Sequence, residues 1–486
     1  MLLSIRKLLS KYILNNASLY FLSGILYLLS LTLINPGGSD RGAIWTQPRL
    51  LILGSIAVLN LSLLLQHSFN EAFILDRNWK IGASFWGAFI LVGSISSSLS
   101  PAQARSFWGQ STLGDGWLYW LMIAVFVLSN TLAIRIKPKL LRFQAWGLLI
   151  GGAVVALSLF PQMLDWRIDY TTTSGLVSPL HPQRLGSTIW RNDMPIGLYS
   201  NRGHTAFVLA AIAMLCLLST STRWLNLKLA IALYGLLSIA LFCTDIRIGI
   251  LALLIATGYY FERYLQIQRN WRLILRLLPV LAAIRFFSSG YGLDKPSSAS
   301  SSSALSVSAL EAFTSGRLHL WKLALQGIAQ RPLWGWGFDG MGIAFPFIGD
   351  WAGQHRWELP SQVTVERVLA VNDFTFQYLG IDGETHTGLI LTNKAHNLFL
   401  DTAVSLGIIG LITYGLLFGF FFWVAYHSAL RGIETIALVY LIYTQAWYES
   451  AQFSQIVWWA LSIGLALPQQ ALNNHSIIYD RHVLDE

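Results

Sequence analysis

Charge is what this sequence lacks. Asp, Glu, Lys and Arg together make up 12% of its 486 residues, against about 25% in an ordinary soluble chain. So little polar surface cannot cover a water-exposed body of this size, which excludes a typical soluble enzyme and leaves an exterior that faces lipid. Cysteine is nearly absent as well. Cys216 and Cys243 both lie inside apolar runs, which argues against a disulfide framework and says nothing about redox compartment. Also missing are the alternating segments of roughly ten residues that build an outer-membrane barrel, and any internal repeat strong enough for a duplicated transporter. The N-terminal MLLSIRKLLSKYIL has no small-residue cleavage site, so it reads as a basic amphipathic lead-in and not as a removable signal peptide.

What is there is apolar sequence in membrane-length runs. Hydrophobic residues are 54% of the chain and the mean hydropathy is +0.52. Because a bilayer leaves backbone groups no water to bond, such runs must be helices. The predicted fold is therefore an all-α polytopic membrane protein of about twelve spans, near 16–34, 49–66, 80–99, 117–135, 141–160, 203–219, 228–243, 248–262, 273–287, 397–425, 433–448 and 453–468. Its parts are an N-terminal bundle (1–286), a large hydrophilic excursion (287–395) and a C-terminal set of helices with a tail (396–486).

The net charge of +9 does not point to nucleic acid, because the basic residues sit in short clusters between spans. One set of alternating loops holds Arg6, Lys7 and Lys11; Arg77 and Lys80; Arg135, Lys137, Lys139 and Arg142; Arg223 and Lys228; Arg263, Arg269, Arg272 and Arg276; and Arg431. The short loops of the other set hold only Arg41, Arg49, Arg105 and Arg247. By the positive-inside rule both termini are expected in the cytoplasm of a bacterial inner membrane. The loop 161–202, the turn at Asp245–Arg247 and the excursion 287–395 then fall on the periplasmic side.

Within the excursion, the Ser/Ala run from Ser297 to Ser308 reads as a flexible tether. After it, RLHLWKLALQGIAQ from Arg317 to Gln330 sets Leu320, Trp321, Leu323, Ala324, Gly327 and Ile328 on one helical face. Pro332 and the glycines of Gly335–Gly340 end that helix, which is too short to span and is expected along the outer membrane boundary.

Ionisable groups at membrane depth are costly, so each is a candidate for function. Asp245 and Arg247 lie where one span turns into the next; they are either a turn with an internal ion pair or part of a site. His396 opens the span after the excursion, either as an interfacial cap or as a catalytic group, with Asn397 beside it to cap the helix or orient the ring.

Several stretches resemble the O-antigen ligase and polymerase superfamily of bacterial membrane glycosyltransferases. SGRLHLWKLALQGIAQRPLWGWG from Ser315, followed at a distance by AHNLFLDTAVSLGIIGLITY, is similar to the family's core: an Arg, a Trp, a Pro-x-x-Gly-x-Gly turn, then His-Asn opening a span with Gly-x-x-Gly. Arg105–Gly109 with Asp115-Gly116 resembles its first outer loop, and Gly197–Ala206 its Gly-x-x-x-Asn lead into a middle span. Thr244–Gly249 resembles its Thr-x-Ser-Arg turn, with Asp245-Ile246 in place of the usual Ser. The resemblance covers roughly residues 80–465.

The resemblance implies a GT-C-like fold and transfer of a glycan from undecaprenyl diphosphate to an acceptor hydroxyl, with inversion and without a metal or other cofactor. It assigns Arg247 and Arg317 to the diphosphate and His396 to the base. Arg202, Asn201, Asn397, Trp321 and Asp245 become substrate-binding candidates, Asp245 either neutralising Arg247 or orienting it. The chemistry is coherent: the planar Arg fork suits diphosphate oxygens, and a positioned His suits removal of a hydroxyl proton. The expected partners are the lipid-linked donor, a lipid or glycan acceptor, and membrane lipids. Ligase, polysaccharide polymerase and protein O-oligosaccharyltransferase stay open, because acceptor identity resides in the loops. The rival from another class is a transporter, for inorganic carbon for example, which should carry its ionisable groups near the midplane on broken helices.

Other signals carry less. Asp382, Glu384 and His386 contain potential metal ligands but cluster in a hydrophilic loop, and the Gly335–Gly340 run follows no strand as a dinucleotide loop would. His181, His204, His319 and His355 read as structural or solvated, and no Ser/His/Asp spacing supports a triad.

Overall fold

A computed structural model describes residues 16–68, 75–163, 168–169, 184–185, 195–264, 317–348, 365–380 and 382–468. The predicted span at 273–287, the tether at 297–308, the N-terminal lead-in, the C-terminal tail, and His181 and His355 lie outside those residues.

Helices occupy the other predicted span positions. In chain order they are α1 (Asn16–Thr32), α2 (Gln47–Ser68, entered through a π-helical turn at Gly42–Thr46), α3 (Arg77–Ser98), the short α4 (Gln103–Trp108), α5 (Trp117–Ile136) and α6 (Lys139–Met163). After the two-residue strands β1 (Ile168–Asp169) and β2 (Arg184–Leu185) come α7 (Arg202–Ser221), α8 (Leu227–Cys243) and α9 (Arg247–Tyr264). Then follow α10 (Arg317–Gln330), α11 (Gly340–Ala344), an antiparallel β3–β4–β5 meander (Val365–Val371, Thr375–Gly380, Thr385–Leu389), α12 (Leu398–Tyr426), α13 (Glu434–Tyr443) and α14 (Gln455–Ala466). Among the described residues, six helices are long and apolar enough to cross a membrane: the one running from Gly42 to Ser68, α3, α5, α6, α7 and α12. The apolar helices α1, α8, α13 and α14 are shorter.

Caps set many of the boundaries. Asp76 accepts from the Trp79 N–H, Asn201 from Gly203, Asn226 from Leu229, and Asn397 from both Phe399 and Leu400. The core is a ring of aromatics, with Trp86 packed at 4.8 Å on Trp458, and with Phe89, Trp120, Tyr414 and Phe421 around that pair. α7 runs through the centre, its middle turns wholly buried. Outward faces stay apolar, as Leu51, Ile231 and Phe242 illustrate, which suits lipid and not water. Arg49, counted by sequence among the outer-loop charges, is instead buried in the bundle. Its guanidinium donates to the carbonyls of Trp45 (2.8 Å) and Leu198 (2.6 Å) and lies 4.0 Å from the Tyr199 ring. It pins the turn that leads into α7.

Two details place the site. α12 is not one continuous helix: Gly407 sits at φ 68°, ψ −171° and breaks it. The Pro332–Gly340 turn fills the break, with Trp336 and Gly337 N–H donating to the carbonyls of Val404 and Ser405 (3.0 and 2.8 Å) and Ile408 N–H donating to Pro332 O (2.8 Å). α10 lies against this junction, burying Leu323, Ala324 and Gly327 among Trp336, Ile343 and Val404. The face predicted for it is thus turned to the turn and α12.

Candidate functional site

His396 stands in the turn just before α12 with φ 55°, the left-handed region that a non-glycine residue occupies only where its surroundings enforce it. Its ring packs edge-on against Trp447 (5.6 Å between centroids) and Tyr448 (4.8 Å), which stack on each other at 5.6 Å. Nδ1 lies 3.2 Å from the Lys394 carbonyl. A carbonyl only accepts, so Nδ1 carries the proton and Nε2 keeps its lone pair. Burial, with Arg317 and Lys394 as further positive neighbours, pushes the His396 pKa down to about 4, against a smaller opposing effect of that hydrogen bond.

Arg317, first residue of α10, reaches the same place. Its guanidinium carbon lies 5.9 Å from the Trp447 ring, and burial lowers its pKa from the usual arginine value. The helix N-terminus adds positive potential at this point. Trp447 also roofs the start of α7, where a methyl at Gly203 would strike the indole. Asn201 and Arg202 therefore sit beside the Trp447 shelf, Asn201 as the α7 cap and Arg202 half-buried. Asn397 holds the other side, its amide within 3.3 Å of the Gln445 carbonyl. Trp321 is half-buried one turn along α10 from Arg317.

Arg247 opens α9 at the same end, exposed, two residues before Gly249, which packs so closely that an added methyl would lie 3.1 Å from Ala206 of α7. Asp245 is exposed at φ 53°. His204 is fully buried, Nδ1 facing Gln452 at 3.2 Å. His386 pairs with Asp382 at 2.8 Å on the exposed β4–β5 hairpin, where the Glu384 N–H, then His386, lowers the Asp382 pKa. Among the described residues no group of three His, Cys, Asp or Glu could hold a metal ion.

Sequence reasoning missed the machinery behind His396. Lys394 bonds Asp115 and lies 3.7 Å from Asp339, while Arg105 donates to Asp339 (2.7 Å), the Asn372 carbonyl (2.6 Å) and Asn393 (2.7 Å). Burial opposes the Lys394 ammonium, yet Asp115, Asp339 and Asp401 outweigh it and the pKa rises. Asp401 in turn accepts from the Ala395 N–H at 2.6 Å. The whole Asn393–Asn397 turn is thereby clamped from both sides. The scarcity of charge was the available signal: Asp401 and Glu449 are acids beside or within apolar runs, which alone marks them as candidates.

Apolar helices of membrane-crossing length, among the described residues, place this chain with membrane proteins, and at one end of the bundle a half-buried histidine and an arginine share an aromatic shelf. Residues 232–415 match the family model described as O-antigen ligase, a ligase- or polymerase-type glycosyltransferase family. That stretch contains Arg247, Arg317 and His396, and ends before Trp447. No curated protein matches the chain.

Proposed function

We propose that this protein is an O-antigen ligase-type glycosyltransferase, moving a glycan from undecaprenyl diphosphate to an acceptor hydroxyl at the periplasmic face of the inner membrane. The observation that carries the reading is the meeting of His396 and Arg317 across Trp447, from segments far apart in sequence. His396 Nε2 takes the hydroxyl proton as the acceptor oxygen bonds the anomeric carbon from the face opposite the leaving group. The carbon–oxygen bond to the diphosphate breaks with its electron pair on the phosphate, and the anomeric centre inverts. Arg317, with Arg247 and Arg202 at the same end, meets the charge that develops there. A pKa of about 4 makes His396 a weak base in the free protein; the anionic donor beside it raises that value toward neutrality. Trp447 and Tyr448 offer ring faces to sugar, and Asn397 fixes the helix start under the histidine.

Transport is the second reading, and the broken α12 is the observation in its favour. Its exposed backbone groups, however, are taken up by the Pro332–Gly340 turn and so are not left to hold an ion.

The test is purified protein with an undecaprenyl-diphosphate glycan and candidate lipid, glycan and protein acceptors. Transferred product is expected, falling roughly 10²–10⁴-fold in His396→Asn and about 10²–10³-fold in Arg317→Ala with folding retained. Unchanged turnover in both variants removes the site; solute uptake into vesicles without any product favours transport. Which acceptor is used separates ligase from polymerase and from protein glycosylation.

A further inference from the structure

Behind the clamped turn, Asp115, Asp339, Asp401, Glu449 and Lys394 line a cavity of about 40 Å³, with Trp120, Phe338 and Tyr414 also in its walls. The four acids are 5%, 1%, 9% and 7% exposed. Each has one oxygen engaged: Asp115 with Lys394, Asp339 with Arg105, Asp401 with the Ala395 N–H, and Glu449 with the Tyr440 hydroxyl at 2.7 Å. Each has its other oxygen without a hydrogen-bond partner: Asp115 Oδ1, Asp339 Oδ1, Asp401 Oδ2 and Glu449 Oε1.

Two cations against four carboxylates leave two uncompensated negative charges if all ionise, together with four anionic oxygens that accept no hydrogen bond, Asp339 Oδ1 having only the Lys394 ammonium 3.7 Å away. A buried site does not sustain that state. Direct coordination of a metal is a poor remedy, since no three such groups among the described residues converge on one ion. Water and protons fit better. The cavity exceeds the roughly 10–15 Å³ a water needs, and its walls supply the two to four polar partners a water requires.

We propose that this cavity is a binding site for water and a proton, that Glu449 carries the proton, and that the hydrated, protonated cluster holds Lys394 so as to aim His396. Glu449 is the carrier because its bonded oxygen meets a neutral phenol, whereas Asp115 and Asp339 face cations and Asp401 bonds a backbone N–H. A protonated Oε1 donates to cavity water, which bridges the remaining orphan oxygens. Burial, reinforced by Asp115 and opposed by the Tyr440 hydrogen bond and Lys394, pushes the Glu449 pKa up to about 8. The groups that face it are Asp115 and Tyr119 at the head of α5, Asp339 before α11, Lys394 before α12, Asp401 and Tyr414 on α12, Tyr440 on α13 and Ser454 before α14, with Arg105 behind Asp339. The aiming of His396 rests on the transferase reading; the water and the proton do not.

The experiment is infrared spectroscopy of the full-length protein in detergent, with pH titrated through 8. A protonated-carboxyl stretch is expected below about 8, sensitive to H₂O/D₂O exchange, disappearing as pH rises and absent in Glu449→Gln. In parallel, wild-type transfer declines as pH rises through that value, while Glu449→Gln, an amide that cannot ionise, keeps its rate there and Glu449→Ala is impaired at every pH. No such band in the wild type, or the same band and pH profile in Glu449→Gln, overturns the proposal. If the Glu449 variants do not fold, Asp401→Asn serves, with a shift of the wild-type band expected and an unmoved band counting against the cluster. The infrared result as expected without transfer from any donor keeps the proton site and rejects the transferase reading.

Discussion

His396 is held in an unfavourable backbone conformation, with one ring nitrogen committed and the other left available. Its φ of 55° means that a substitution acts on the backbone as well as on the chemistry. Asn tolerates this region better than Ala, so His396→Asn is the cleaner variant for the assay. The pH dependence follows from the lowered pKa of about 4. The neutral base is present above that value, so the acid limb of kcat/KM is expected near 4 and not near the ordinary histidine value of about 6.5. A pH–rate profile with its limb at the ordinary value would contradict the buried geometry. The stability linkage has a definite sign: the unfolded chain binds a proton that the folded one refuses, so the protein loses stability as pH falls between those two values.

At the scale of elements, the junction of α10, the Pro332–Gly340 turn and α12 decides whether Arg317 and His396 share one site. Gly407 must adopt a positive φ, and a Cβ there runs into the Leu333 backbone. Gly335, at φ 67°, meets the Ser405 carbonyl group in the same way. Gly407→Ala is therefore expected to destabilise the protein by about 1–3 kcal/mol, seen as a lower unfolding temperature in detergent. Gly415, where an added methyl meets nothing, is the control and should be near neutral. Equal effects at the two positions would mean that the break is not needed. Sequence showed a Gly-x-x-Gly segment and a Gly/Trp turn as separate motifs. That one plugs the other was not visible, because the hydrogen bonds join residues some seventy positions apart in the chain.

Across the whole molecule, the buried charge network ties α4, the heads of α5 and α11, and the turn before α12 into one body. Removing one partner leaves an uncompensated buried charge, so Asp339→Ala is expected to cost about 3–5 kcal/mol. Arg105→Met combined with Asp339→Leu should recover much of that loss, measured as thermal stability by a double-mutant cycle. Simple additivity of the two single losses would show that the ion pair contributes no coupling.

Sequence by itself determined the class. Scarce charge and membrane-length apolar runs call for helices, and within the described residues helices stand within a few residues of the predicted runs, because each run is a local property. Sequence singled out His396 as an ionisable group where an apolar run begins, and Arg317 only through the resemblance to the O-antigen ligase family. Sequence could not decide which of them meet, because side chains from α7, α10, the α12 turn and the α13–α14 turn converge only after packing. The tertiary structure alone brought Trp447 between His396 and Arg317, broke α12 and filled the gap. It alone gathered four acids and a lysine behind the histidine, since burial and partnership belong to the packed molecule and to no single stretch of it.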